Sequence, residues 1–302
     1  MSSAEDLIEN QKYSEAYLVL ENSYRIHLIE RTHPKDLLAL QHLMAWTLKQ
    51  QGQYQRAWAA YNELLATQRE YFVPDHTNVL STLEDMALIL EELGHFDKAL
   101  QIHTQVYESR QKTLGFDAAL TWHSMSNMAW VLRKLRKFDR ALQLATLAVE
   151  NQTKISGVDH VLTLAALHTF ATILESQGYH KNAVDIYKDL FNIFREIFGP
   201  DHSNTLVMQY SIGALLSKRG EHLRGLEMLE DVFAKERDKA GNDHPTILKT
   251  QSAIGECLIG QGRVSEAKGV FGQVFTSARH ILGEKHPTTL KAKRRYHVLT
   301  HY

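Results

Sequence analysis

A short pattern, His-x-x-x-Leu, returns along the chain at a step of 42 residues or a multiple of it: His76, His160, His202, His244 and His286. His33 carries a variant one residue longer, and Ala118 stands where the series lacks a histidine. A second series keeps the step with Gly52, Gly94, Gly178, Gly220 and Gly262, while Arg136 takes the third place. A unit of this size cannot bury an apolar face alone, so units must stack and share a core. The expectation is an all-α solenoid of stacked antiparallel helix pairs, running through 1–302 as one domain. Within it, 1–33 form a leading helix or pair, 34–283 six helix-turn-helix repeats and 284–302 a capping helix.

Between each histidine and the next glycine runs a helical pattern: Met44-Ala45-x-x-Leu48, Met86-Ala87-x-x-Leu90, Met128-Ala129-x-x-Leu132 and Phe170-Ala171-x-x-Leu174. Ile212-Gly213-x-x-Leu216 and Ile254-Gly255-x-x-Leu258 continue it. A large apolar residue, a small one and a leucine four on from the large one's neighbourhood share one helix face. The small place never exceeds alanine, so a second helix must cross closely there. That second helix has its own small place at Ala57, Ala99, Ala141, Ala183, Gly225 and Ala267, with Ala16 marking an earlier copy. The glycine between them supplies the left-handed residue that closes the first helix. Asp75, Asp117, Asp159, Asp201 and Asp243 precede the first helices and are expected to be their N-caps.

The order of these residues resembles the tetratricopeptide repeat. The 42-residue step and the joints Gly241-Asn-Asp-His-Pro-Thr-Ile-Leu248 and Gly283-Glu-Lys-His-Pro-Thr-Thr-Leu290 are similar to the kinesin light chain type of that repeat. The resemblance covers about 13 to 290 and implies a right-handed superhelix whose first helices line a concave groove. It also implies protein–protein interaction through an extended peptide, in an adaptor or scaffold role. HEAT repeats share the period but not the glycine and alanine places. The third repeat, with Arg136 and Ala118, is expected to have an altered joint.

Lys and Arg number 34 against 35 Asp and Glu, so the chain lacks the basic excess of a nucleic-acid binder. No apolar run reaches membrane-spanning length, and the opening Met-Ser-Ser-Ala-Glu-Asp is unlike a secretory signal. A single cysteine suits a cytoplasmic setting. No cofactor and no metal are expected: His297 and His301 have helical ligand spacing, but no acidic partner lies between them. Cys257 falls on an apolar place of the pattern and reads as core, as does Trp122.

The candidate peptide- or ligand-binding residues lie on the stripe of the first helices that the core pattern leaves over. They are His42, Trp46, Glu84, Leu88, His123, Asn127, Trp130, Arg133, His168, Thr172 and Tyr210. Trp46 and Trp130 are aromatic anchors of the sort that dominate binding sites. By the resemblance, Asn127 is an amide that holds peptide backbone. His42, Trp46, Glu84 and Leu88 occupy the places of a chaperone-tail carboxylate clamp and do not match it. Glu84, Asp85, His123, His168 and Tyr210 make a second constellation. If the groove closes around a small molecule, these are the groups that acid–base chemistry would use. No catalytic motif is present, so the expected partner is a protein segment, with a small-molecule ligand as the alternative.

Overall fold

The computed structural model describes residues 3–9, 12–30, 34–240 and 244–300. His33, Gly241, Asp243 and His301 lie outside the described residues. Among those described, every regular element is an α-helix: α1 (Ala4–Glu9), α2 (Tyr13–Glu30), α3 (Pro34–Gln50), α4 (Tyr54–Tyr71), α5 (Thr77–Glu92), α6 (Phe96–Leu114), α7 (Ala119–Lys134), α8 (Phe138–Ser156), α9 (Val161–Ser176), α10 (His180–Phe198), α11 (Ser203–Lys218), α12 (His222–Ala240), α13 (Pro245–Gly260), α14 (Val264–Leu282) and α15 (Pro287–Val298). The chain divides into two compact units, 1–131 and 132–302.

In the first unit α3 packs on α4 and α5 on α6. Its core runs through Tyr61, Leu64, Val79, Leu83, Met86 and Ile89. In the second unit α9, α10 and α11 enclose Leu164, Tyr187, Leu190, Phe194, Met208 and Leu215. A further cluster there gathers Leu229, Ile254, Cys257, Leu258 and Phe271. Burying one such side chain contributes roughly 1.5–3 kcal/mol. The small places behave as the pattern requires: Ala45, Ala57, Ala87, Ala99, Ala171 and Ala183 have no exposed surface. A Cβ on Gly225 would stand 2.7 Å from the Gly213 carbonyl oxygen, so this crossing admits no larger residue.

The turn between paired helices needs a left-handed residue. Gly94 supplies it with φ 79°, its N–H reaching the Glu91 carbonyl while that of His95 reaches Leu90. Arg136 adopts the same conformation with φ 61° and repeats both bonds, to Arg133 and Leu132. The expected alteration of the third repeat is therefore absent at this turn: arginine takes the strained backbone and the geometry persists.

The N-caps require a correction. The capping residue is the histidine, one place after the expected aspartate. Nδ1 of His76, His160, His202 and His286 accepts the N–H of Asn78, Leu162, Asn204 and Thr288 at 3.2 Å, and His244 accepts from Thr246 at 3.3 Å. The histidine has the extended backbone next to the first helical residue, and the aspartate sits too early to reach these donors. Asp75 instead accepts from Ser109 Oγ at 2.8 Å, and Asp201 lies 3.4 Å from Lys235. Stacking fixes two of the caps, Phe72 on His76 at 4.1 Å and Phe198 on His202 at 4.5 Å. Three joints are tightened by a threonine: the hydroxyls of Thr121, Thr163 and Thr205 donate to the carbonyls of Gly115, Gly157 and Gly199.

Candidate functional site

The polar groups of the first unit gather around Glu84. It projects from α5 toward Arg110 of α6, whose guanidinium donates to both carboxylate oxygens at 3.0 and 2.9 Å. Arg110 also donates to Ser124 Oγ at 2.7 Å. From α7, Asn127 Nδ2 donates to Glu84 Oε1 at 2.9 Å and lies 3.4 Å from His123 Nε2. His123 itself stands 3.9 Å from the carboxylate. Burial pushes the Glu84 carboxyl up, but the Arg110 hydrogen bonds and the charges of His123, Arg110 and His103 outweigh it and hold it below the usual range. Burial also depresses His123, against the pull of Glu84. Glu84 is thus an ionised carboxylate held by several donors. That is the state of a structural anchor, not of a group poised to exchange protons near neutrality.

Asp85, the next residue, serves α3. His42 Nε2 lies 3.2 Å from one of its oxygens and Lys49 Nζ 2.5 Å from the other. Burial raises this carboxyl, and the His42 hydrogen bond with the Lys49 charge brings it below its ordinary value. Trp46 meets the Tyr13 ring edge-on at 5.6 Å and is half-buried, so α2 already covers part of it. Leu88 and Trp130 are half-buried, and Trp122 is buried with Nε1 donating to the Phe116 carbonyl at 2.6 Å.

In the second unit the polar pattern centres on Glu175 of α9. Tyr187 OH donates to its Oε2 at 2.9 Å, and Lys218 Nζ approaches Oε1 at 2.5 Å. The His168 ring lies 5.9 Å from that of Tyr187. Burial, with the Arg133 charge, pushes the His168 imidazole down to about 4, opposed in part by Glu175. Burial chiefly, then Glu175 and Glu236, push the Tyr210 hydroxyl up to about 12. Arg133 Nη1 donates to Ser176 Oγ at 3.3 Å, and Thr172 is buried with its hydroxyl on the Thr169 carbonyl.

Of the second constellation, then, Glu84 and His123 come together in the first unit, while Asp85 is committed to His42 and Lys49. His168 and Tyr210 belong to the second unit, each near the Glu175–Tyr187 pair. Glu84 is paired with Arg110, a second-helix residue absent from the candidate set. The signal for Arg110 was in the repeat: it occupies the place of Gln68, Gln152, Phe194, Glu236 and Ala278, a mixed polar and apolar column within a second helix. Glu175 lies on the same stripe and is outside the candidate set, its anchor Tyr187 standing on the second helix. Away from the stripe, an open depression of about 440 Å³ on α6 is lined by Asp97, Leu100, Gln101, Thr104, Gln105 and Glu108. Among the described residues no helix is long and apolar enough to cross a membrane, and no three His, Cys, Asp or Glu side chains gather for a metal ion.

A tetratricopeptide repeat profile matches residues 36–112 and 117–196, more than half of the chain. Among solved structures, a putative kinesin light chain of nearly identical TPR-like repeats from Podosopora anserina is 23% identical, over 70% of this chain and 99% of that one, with a TM-score of 0.48. Rap protein complexed with Competence and Sporulation Factor is 12% identical over 99% and 96%, with a TM-score of 0.60. NprR in complex with its cognate peptide NprX is 13% identical over 99% and 84%, with a TM-score of 0.62. A search of curated proteins returns no match.

Proposed function

Because this chain belongs to the tetratricopeptide repeat family, with repeats resembling those of kinesin light chains, we propose that it is an interaction module binding an extended peptide along the stripe of its first helices. In this reading 1–302 form one array, with six repeats over 34–283 and a closing helix after them, acting in the cytoplasm as an adaptor or scaffold. The observation that carries the proposal is the orientation of Asn127. Both of its contacts run through Nδ2, to Glu84 and toward His123, and its carbonyl oxygen takes part in neither. An amide fixed in this way presents an acceptor to a main-chain N–H without selecting a side chain, and Trp130, three residues on, supplies the apolar anchor. In the first unit His42, Trp46, Leu88 and His123 are the further contacts of this reading, and in the second Arg133, His168 and Tyr210, whereas Thr172 is buried with its hydroxyl on the Thr169 carbonyl. Two structures of like fold were solved as complexes, Rap with Competence and Sporulation Factor and NprR with its cognate peptide, which supports the choice of ligand class.

The test is selection from a displayed random-peptide library, followed by calorimetric titration of the selected sequences. Trp130→Ala is expected to weaken binding by more than about 1 kcal/mol without lowering the melting temperature appreciably, and Asn127→Ala by about 1 kcal/mol, with some loss of stability from its bond to Glu84. Peptides that bind both variants as tightly as the wild type would place the ligand elsewhere.

A further inference from the structure

The second helices expose scattered apolar residues, among them Tyr71, Ile155, Ile197 and Leu223, and α2 sets three such residues on one side. With Ala16 set on Ala57, Ile29 falls where the later helices have Glu70, Lys112, Lys154, Glu196, Asp238 and His280. Leu18 and Ile26 fall likewise on Ala59 and Thr67 of α4. Leu18, Ile26 and Ile29 are 59%, 52% and 81% exposed. Their spacing of eight and three residues puts them on one side of α2. Around them the chain is acidic: residues 4–30 hold six carboxylates against Lys12 and Arg25, and those two cations already lie beside Glu15 and Glu21.

The opposite character appears on α15. Leu290 is the leucine of the repeated joint, and its counterparts Leu38, Leu80, Leu164, Leu206 and Leu248 are 0–3% exposed, whereas Leu290 is 52% exposed. Lys293, Arg294, His297 and Val298 follow it at helical intervals and are exposed too, while Thr289, Ala292 and Leu299 turn inward. Residues 284–298 hold five cations against the single carboxylate of Glu284. The first unit therefore offers an apolar stripe in an acidic setting, and the second unit an apolar stripe in a basic one.

We propose that copies of this chain associate, the α15 face of one copy docking on the α2 face of the next. Leu290 and Val298 meet Leu18, Ile26 and Ile29, and Lys293 and Arg294 meet the carboxylates of the acidic face, Glu5 and Glu30 among them. The two faces are different, so the contact is heterologous and each docked copy still presents one open face of each kind. Growth then continues beyond two copies. The ionic part is screened by salt and the apolar part is not.

Sedimentation velocity of the purified chain over rising concentration tests this. The wild type is expected to exceed dimer mass, less so at high salt. Ile29→Glu and Leu290→Glu are each expected to remain monomeric, with unchanged helical circular dichroism. An equimolar mixture of the two is the decisive sample, because each variant keeps the face that the other has lost. It is expected to give twice the monomer mass and nothing larger. Ile26→Glu and Arg294→Glu form a second such pair should either first variant fail to fold. A wild type that stays monomeric at every concentration overturns the proposal. So does a mixture that stays monomeric, since the two retained faces would then not dock, and so does a single variant that dimerises alone, since like faces would then be pairing.

Discussion

The same place in the repeat is built in two ways in the two units. In the first, Glu84, Arg110 and Ser124 form a buried, hydrogen-bonded ion pair with its side chains 15% and 3% exposed for Glu84 and Arg110. Two repeats on, in the second unit, the places are held by His168, Phe194 and Met208, and the last two are buried in an apolar cluster. The helices on either side keep their lengths, and the small alanines stay in register. The backbone of the repeat thus demands volume at this place and is indifferent to polarity, provided that a charge, once buried, is matched. Tyr210, Glu236 and Thr250 supply a third solution, in which Thr250 donates to Glu236 at 2.7 Å and burial raises the Glu236 carboxyl.

Breaking the match gives the largest effect. Arg110→Phe alone leaves Glu84 charged and buried, and is expected to cost about 4 kcal/mol in urea unfolding of the first unit. Adding Glu84→His and Ser124→Met converts the site to the form found in the second unit. It is expected to recover stability to within about 1 kcal/mol of the wild type. If the triple variant is no better than the single one, the two solutions are not interchangeable. In the second unit, Phe194→Ala removes volume without exposing a charge. Its cost of about 3 kcal/mol should be insensitive to pH, unlike that of Arg110→Phe.

Acid sharpens the contrast further. His168 is held down to about 4, so an unfolded chain takes up a proton near pH 6.5 that the folded one refuses. Stability of the second unit therefore falls as pH drops from about 6.5 toward 4, and His168→Phe should flatten that part of the profile. The Glu84 contribution has a lower window. It is complete above the ordinary carboxylate range and is lost only as pH falls through the depressed folded value. Imidazole and carboxylate chemical shifts, followed by NMR, report the two steps separately. The smallest effect belongs to Tyr187→Phe, which removes the donor to Glu175 while Lys218 remains. A loss of about 1 kcal/mol is expected.

Most of the fold was legible in the sequence because the repeat states its own packing rule many times over. Ala45, Ala87 and Ala171 read as crossings since any larger residue would collide, and Cys257 and Trp122 read as core since their columns are apolar. The joints were less legible. Aspartate is the better-known capping residue, and the backbone geometry gives the cap to the joint histidine instead. The polar clusters were half-legible: Glu84, His123 and Asn127 share a stripe, but Arg110 and Tyr187 reach them from second helices. A stripe read along one helix type does not include what the other helix sends across.

The histidine caps tie the start of five helices to a lone pair on Nδ1. Serine and aspartate caps remain acceptors over a wide range of conditions, whereas an imidazole lone pair can be claimed by a proton, a soft metal ion or an acylating reagent. Each such event frees one backbone N–H at the seam between consecutive helix pairs and leaves the cores of those pairs intact. The joints therefore form a set of chemically addressable latches, and a reagent specific for unprotonated imidazole would record, seam by seam, which ones are closed.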